Sequence, residues 1–398
     1  MSGVRDWLRV APAAFMMAWG GNHFTPLLHV YEAEAHYAPW QANLLLGMYV
    51  FGLVPGLLIA AALSDQHGRK PVMIGGLAAA AAGSILLAAG AGLFAVLCAG
   101  RILAGVGVGV AMSVGTSWMA ELSAPPFDRD APAGAAARRP SLTLTLGFGL
   151  GAAVTGLLGQ WAPAPTHTPF LVHLALAVLA AVPLAAARES LPASRRARGR
   201  WWRDLRVPAA GHRTFTRRIV PAAPWVFAAA GVAYAIMPAI AAPRLGDWTT
   251  LYATVLTVVT LGSGALVQPF VSRIDRRTGG RALPLGLALM TAGMGLAVVA
   301  SRVGEPAFAL AVAAVLGVAY GITVVAGLAI VQAIATPSDL AGLTGVYYAL
   351  TYTGFLLPTV LAALLPVASY TVSLSVVAIV CAGCLAWSIA AREPGARR

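Results

Sequence analysis

The sequence predicts an all-α, polytopic membrane protein with 12 transmembrane helices, and three observations carry that prediction. First, the 398 residues are 59% hydrophobic and 10% charged, with a mean hydropathy of +0.78; an ordinary soluble domain is roughly 45–50% apolar and about 25% charged. Second, the apolar residues gather in runs of the length that carries a helix across a ~30 Å hydrocarbon core. Third, those runs are continuous, whereas the strands of a membrane barrel would alternate polar and apolar residues. Backbone polar groups in lipid must be satisfied within the segment, so each run is a helix.

The runs fall into two sets of six. Val10–Tyr31, Gln41–Leu63, Val72–Gly90, Leu93–Glu121, Ser141–Trp161 and Phe170–Ala187 come first. Ile219–Ala241, Trp248–Val271, Ala282–Ser301, Pro306–Ala335, Leu340–Leu365 and Tyr370–Ala391 follow. The first run comes after Arg5 and Arg9, as in a signal peptide, but it is long enough to span and Tyr31–Ala35 makes a poor cleavage site. It therefore reads as a retained helix. The stretch between the sets holds ten arginines from Arg188 to Arg218, with Trp201 and Trp202 among them. Such a composition suits a cytoplasmic linker lying on anionic lipid. The expected organisation is an N-terminal six-helix bundle over 1–187, a basic linker over 188–218 and a C-terminal six-helix bundle over 219–398.

Charge placement fixes the orientation. With the N-terminus in the cytoplasm, 24 of the 27 cationic residues fall on the inner side, Arg244 and Arg302 fall outside, and Arg101 lies within the fourth run. The positive-inside rule then places both termini in the cytoplasm. It also accounts for the net charge of +13 without a nucleic-acid partner. Lys70 is the only lysine in a chain rich in Ala, Arg and Gly, which points to a high-GC bacterial genome and the cytoplasmic (inner) membrane. Cys98, Cys381 and Cys384 lie inside apolar runs and read as core packing, so neither a metal nor a cofactor is expected.

The two halves echo each other. Gly105-Val-Gly107-Val-Gly109 matches Gly317-Val-Ala319-Tyr-Gly321, 212 residues on, and Asp65…Gly68-Arg69-Lys70 matches Asp275-Arg276-Arg277…Gly279, 210 residues on. A parallel repeat of this kind makes two pseudo-symmetric bundles with a substrate site between them near the midplane.

The loop after the second run reads Ala61-Ala-Leu-Ser-Asp65-Gln66-His67-Gly68-Arg69-Lys70-Pro71. It resembles the signature loop of the major facilitator superfamily, Gly-x-x-x-Asp-basic-x-Gly-basic-basic. Ala61 and Gln66 depart from that pattern. With the topology and the repeat, the resemblance covers the whole chain and implies the major facilitator fold and alternating-access transport. Asp65, Arg69 and Glu121 stand at three helix ends on the same side, so two carboxylates flank one guanidinium in a charge-assisted network. The resemblance implies that this network locks the outward-open state.

Arg101, about eight residues into the fourth run, is a functional candidate because a midplane charge is costly unless paired. It precedes Gly105 and Gly109 as in the helix 4 motif of facilitator antiporters, where such an Arg is linked to proton transfer; the plainer alternative has Arg101 bond carbonyls or Asn22 and brace the bundle. The fifth run, with Gly147, Gly151 and Gly156, resembles the antiporter motif of the drug–proton branch, with Ala152 in place of the expected Pro. Packing by small residues explains these glycines as well. In the first run Pro26 weakens the helix next to Asn22 and His23, and His23 is a candidate proton carrier. Tyr234, Gln268, Gln332, Tyr348 and Tyr352 complete the candidates for the substrate pathway. None of the fourteen acidic residues falls at the centre of a run, which shifts the substrate toward neutral or anionic amphiphiles.

The expected function is secondary active transport of a small organic compound, as a proton-coupled exporter that works as a monomer. An uptake permease for a metabolite such as an organic acid is the alternative, and a non-transporting receptor or scaffold a remote one. The chain is not expected to be an enzyme, and no GxxxxGK[ST] phosphate loop is present for a primary pump.

Overall fold

A computed structural model describes residues 5–197, 208–336 and 340–390. Trp201 and Trp202, most of the arginine-rich middle of the expected linker, and the last three arginines lie outside the described residues. The described chain is all helical, with eleven helices long and apolar enough to cross a bilayer.

The first expected crossing is not among the eleven, because neither of its two helical pieces is long enough to span. α1 (Trp7–Asn22) stops at His23, passes through one 3-10 turn at Thr25–Leu27 and resumes over Leu28–Ala33. Pro26 has no N–H to donate back along the helix and disfavours helical geometry at the residue before it. The others are α2 (Pro39–His67), α3 (Arg69–Ala89), α4 (Phe94–Leu122), α5 (Ala135–Trp161) and α6 (Thr168–Ala185), then α7 (Phe215–Arg244), α8 (Gly246–Arg277), α9 (Ala282–Val303), α10 (Pro306–Ile334), α11 (Gly342–Ala363) and α12 (Tyr370–Ala390). α5 begins six residues before its apolar run. Its first turns carry Arg139, which is held by an ion pair to Asp128 at 2.7 Å and lies over the Trp7 ring. Two crossings widen to a π-helical turn, α4 at Ala111–Gly115 and α7 at Val232–Ile236.

The chain divides into two compact units. One comprises Met1–His36 with Met48–Arg206, the other Tyr37–Gly47 with Val207–Arg398.

In lipid, burying apolar side chains does not by itself drive helices together; close packing and interhelical hydrogen bonds do. In the first unit α4 supplies that packing on two faces. A Cβ at Gly105 or Gly109 would run into the α2 backbone at Tyr49, Leu53 and Leu57, and one at Gly52 of α2 would overlap the carbonyl oxygen of Ile102. On the other face, Gly100 sits 3.0 Å from the Gly83 oxygen of α3 by the same measure, and Gly107 sits 2.9 Å from Ala80. α5 docks on α1 in the same way, with Gly147 against the Phe15 oxygen and Gly151 against Trp19; Gly156 is buried one turn on.

The second unit repeats the seam. Gly317 and Gly321 of α10 press on Thr260, Ser263 and Gly264 of α8. Gly52, Gly105 and Gly109 correspond to Gly264, Gly317 and Gly321 at a constant spacing of 212 residues.

Candidate functional site

In the first unit the loop charges assemble around one arginine. Arg69 donates from Nη1 to Asp65 Oδ1 at 2.6 Å and to Ser64 Oγ at 2.9 Å, and from Nη2 to Glu121 Oε1 at 2.9 Å. Gly68 sits between α2 and α3 with φ at +100°, and a Cβ there would meet Glu189 Oε2 at 2.6 Å. Both requirements favour glycine. The carboxylate of Glu189 accepts the backbone N–H groups of Arg69 and Lys70 at 3.1 and 3.0 Å. It thereby caps the start of α3, where free amides and the helix dipole favour negative charge. Lys70 donates to the carbonyls of Ala185 and Ala187, Ser190 donates to Glu121, and Ala197 N–H donates to the Asp65 oxygen at 2.8 Å. The first ten residues of the expected linker are therefore fixed to this loop. Glu189 and Ser190 carried no sequence signal, because a helix cap formed 120 residues away in the chain looks like any linker acid.

Deeper in the same unit, Arg101 is fully buried, with its guanidinium 4.9 Å from the Phe24 ring and 5.1 Å from the Tyr49 ring. Cation–π contacts of this kind reach about 2 kcal/mol when desolvated. Asn22 donates from Nδ2 to the Phe148 carbonyl at 3.4 Å. His23 follows the end of α1, wholly buried, 4.9 Å from the His173 ring and edge-on to Phe170 at 5.0 Å. Both nitrogens of His23 are buried without a hydrogen-bond partner.

His173 is the opposite case. Its Nε2 donates to the Met16 carbonyl at 2.8 Å, and its Nδ1 pairs with Ser84 Oγ at 2.7 Å. A carbonyl can only accept, so Nε2 carries the proton and the serine hydroxyl donates to Nδ1. His173 thus ties α1, α3 and α6 together. The sequence did signal it, as a lone polar residue in an apolar run, but no motif singled it out.

In the second unit the candidate residues gather as aromatic rings. Phe227 stacks on Tyr352 at 4.2 Å and on Phe355 at 4.7 Å, and Tyr234 lies 6.3 Å from Phe355. Of the neighbouring tyrosines, Tyr347 is buried and donates to the Val324 carbonyl at 2.9 Å, with Gly327 making room for its ring. Tyr348 is half-buried beside it. Two expected pathway residues lie apart from this cluster. Gln332 is exposed in the last turn of α10, not at mid-depth, and Gln268 is half-buried in a 3-10 turn within α8, followed by the exposed Pro269 and Phe270. Phe227, Phe355 and Tyr347 were not distinguishable from core aromatics in the sequence. Among the described residues the one buried acid is Asp128, in the loop before α5, and no cluster of His, Cys, Asp and Glu could hold a metal.

The family model of the Major Facilitator Superfamily matches residues 10–256. The chain belongs to this superfamily. Solved structures agree at the level of fold. A crystal structure of the nucleoside transporter NupG is similar over 98% of each chain, at 13% identity and a TM-score of 0.70. A POT family transporter in complex with 5-aminolevulinic acid is similar over 98% of this chain and 97% of its own, at 12% identity and 0.74. A POT family transporter in complex with a thioalcohol-conjugated peptide gives the same coverage at 13% identity and 0.75. This member of the superfamily is a multi-pass membrane transporter and not an enzyme.

Proposed function

We propose that this transporter is a proton-coupled exporter of small organic compounds, working as a monomer by alternating access in the bacterial cytoplasmic membrane with both termini inside. The observation that carries the coupling is His23. An imidazole can take up and release a proton, and both nitrogens of this one are buried without a hydrogen-bond partner among the described residues. Its charged and titratable neighbours are His173 and Arg101. His173 is spent on Met16 and Ser84, which leaves His23 as the group able to change partners during a cycle.

Arg101 favours a neutral or anionic substrate, since it brings a fixed cation into a unit whose described carboxylates lie at the ends of crossings or in loops. The stacked rings of Phe227, Tyr352 and Phe355 suit the apolar part of such a compound. The loop network of Asp65, Arg69, Lys70 and Glu121, with Gly68 and the Glu189 cap, serves as the gate.

The test uses purified protein in liposomes under an imposed pH gradient, with a panel of dyes and organic anions. Proton movement that depends on substrate, in the direction opposite to it, is the expected result. Movement of both in the same direction would replace export with uptake. His23→Gln is expected to abolish gradient-driven accumulation while leaving downhill flux in place, and retained accumulation would remove His23 from the mechanism. Arg101→Ala is expected to weaken anionic substrates at least about tenfold and neutral ones less, as removal of a charged contact implies; equal effects on both would remove the anion preference.

A further inference from the structure

We propose that the second unit carries a binding site for an anionic phospholipid, at the groove between the α8–α9 loop and the end of α12. The groove has a volume of about 490 Å³ and is lined by Arg277 and Arg281 on one side and by Leu285, Ala288, Leu385 and Ile389 on the other. Both arginines are exposed, and neither has an ion-pair partner among the described residues. The nearby acid, Asp275, forms no ion pair with either of them among the described residues. Asp275 Oδ1 accepts the backbone N–H of Ala282 at 3.0 Å and caps the start of α9. Two planar guanidiniums with free donor forks are the groups that bind a phosphate oxygen pair best.

The apolar wall decides between a lipid and a free phosphate. A soluble anion gains nothing from Leu285, Ala288 and Leu385, whereas an acyl chain runs along them. Val376, Ile379, Val380 and Trp387 of α12 are exposed, an apolar surface that meets lipid in a membrane-spanning helix, and aromatic residues are enriched at the membrane–water interface. Basic pockets between transmembrane helices at that level take anionic headgroups. In the orientation proposed above the lipid comes from the inner leaflet. The site rests on the membrane placement of the chain and not on its substrate, direction or coupling.

The repeat supplies an internal contrast. At the matching loop of the first unit, Asp65 and Glu121 hold Arg69, and Lys70 is spent on carbonyls. No pair of cations is left over there.

Native mass spectrometry of the full-length protein in detergent, titrated with phosphatidylglycerol or phosphatidylcholine, tests the site directly and reads no transport. Phosphatidylglycerol is expected to bind in preference, and Arg277→Gln with Arg281→Gln to weaken it by about twentyfold, roughly fivefold for each arginine at a membrane surface. Ala288→Phe, which fills the groove and keeps both charges, is expected to weaken the same lipid. Arg302→Gln, at the other end of α9, should change nothing. Equal binding of the two lipids, an unchanged affinity in the double variant, or displacement of phosphatidylglycerol by inorganic phosphate alone would each overturn the proposal.

Discussion

The two units share a skeleton and differ in what they place on it. Gly52, Gly105 and Gly109 in one and Gly264, Gly317 and Gly321 in the other sit 212 residues apart and make the same close helix contacts. The broken end of α1 at His23 and Phe24 has its counterpart, 210 residues on, in the widened turn of α7 at Ala233 and Tyr234. Yet His23 corresponds to Ala233, Arg101 to Ala313 and Glu121 to Ala333. Packing positions are kept across the repeat while these three titratable positions are not. The same backbone geometry therefore serves an interior that holds His23 and Arg101 in one unit and an aromatic cluster in the other.

The largest difference should appear at the paired loops. Asp65→Asn removes one carboxylate from a guanidinium that three groups hold, and should lower transport at least about tenfold with the protein still folded in the membrane, since a hydrogen bond to a charged group contributes about 1.5–3 kcal/mol. Asp275→Ala removes only a helix cap, costing about 1 kcal/mol of stability with transport nearly unchanged. Flux assays on both variants, with melting as a check on folding, decide the matter; equal losses would mean the second loop gates as well.

A smaller contrast concerns the seams. Gly52→Ala puts a methyl group against the Ile102 carbonyl, whereas Gly264→Ala meets first the Tyr320 ring, which can turn away. Overpacking costs about 1–3 kcal/mol, and Gly52→Ala should lie at the upper end. Melting temperatures in detergent would show it, and an equal fall in both would make the α8–α10 seam as unyielding as the α2–α4 one. The smallest effect is expected at Tyr347→Phe, which removes the hydroxyl donated to Val324 and should cost about 0.5–1.5 kcal/mol. A loss well above that in denaturant unfolding would give the aromatic unit a polar anchor comparable to those of its partner.

The features that were legible in the sequence are those written in local spacing. Apolar length predicted the crossings, small residues one and two turns apart predicted the glycine seams, and Pro26 marked the weak point of the first helix. Asp65 and Arg69 are four residues apart across a helix junction, so their pairing could be expected from the loop motif alone. Other features depend on the chain returning to itself. Glu189 and Ser190 read as linker because nothing in a basic, Pro-containing stretch distinguishes a docked segment from a free one. His173 and Ser84 are 89 residues apart, and their hydrogen bond exists only once α3 and α6 are adjacent. Gln332 failed as a mid-depth candidate because an apolar run gives no depth; in the last turn of α10 a glutamine reaches water.

The Glu189 cap bears on how the molecule is made. α3 begins with two backbone amides that accept no partner until a residue 120 positions later has left the ribosome. At about 5–20 residues per second, that is a wait of roughly 6–24 s. Through that interval the start of α3 lacks its cap, and the first unit is latched by the segment that follows its last crossing. A chain truncated after α6 would carry every transmembrane helix of that unit and still lack the piece that closes it.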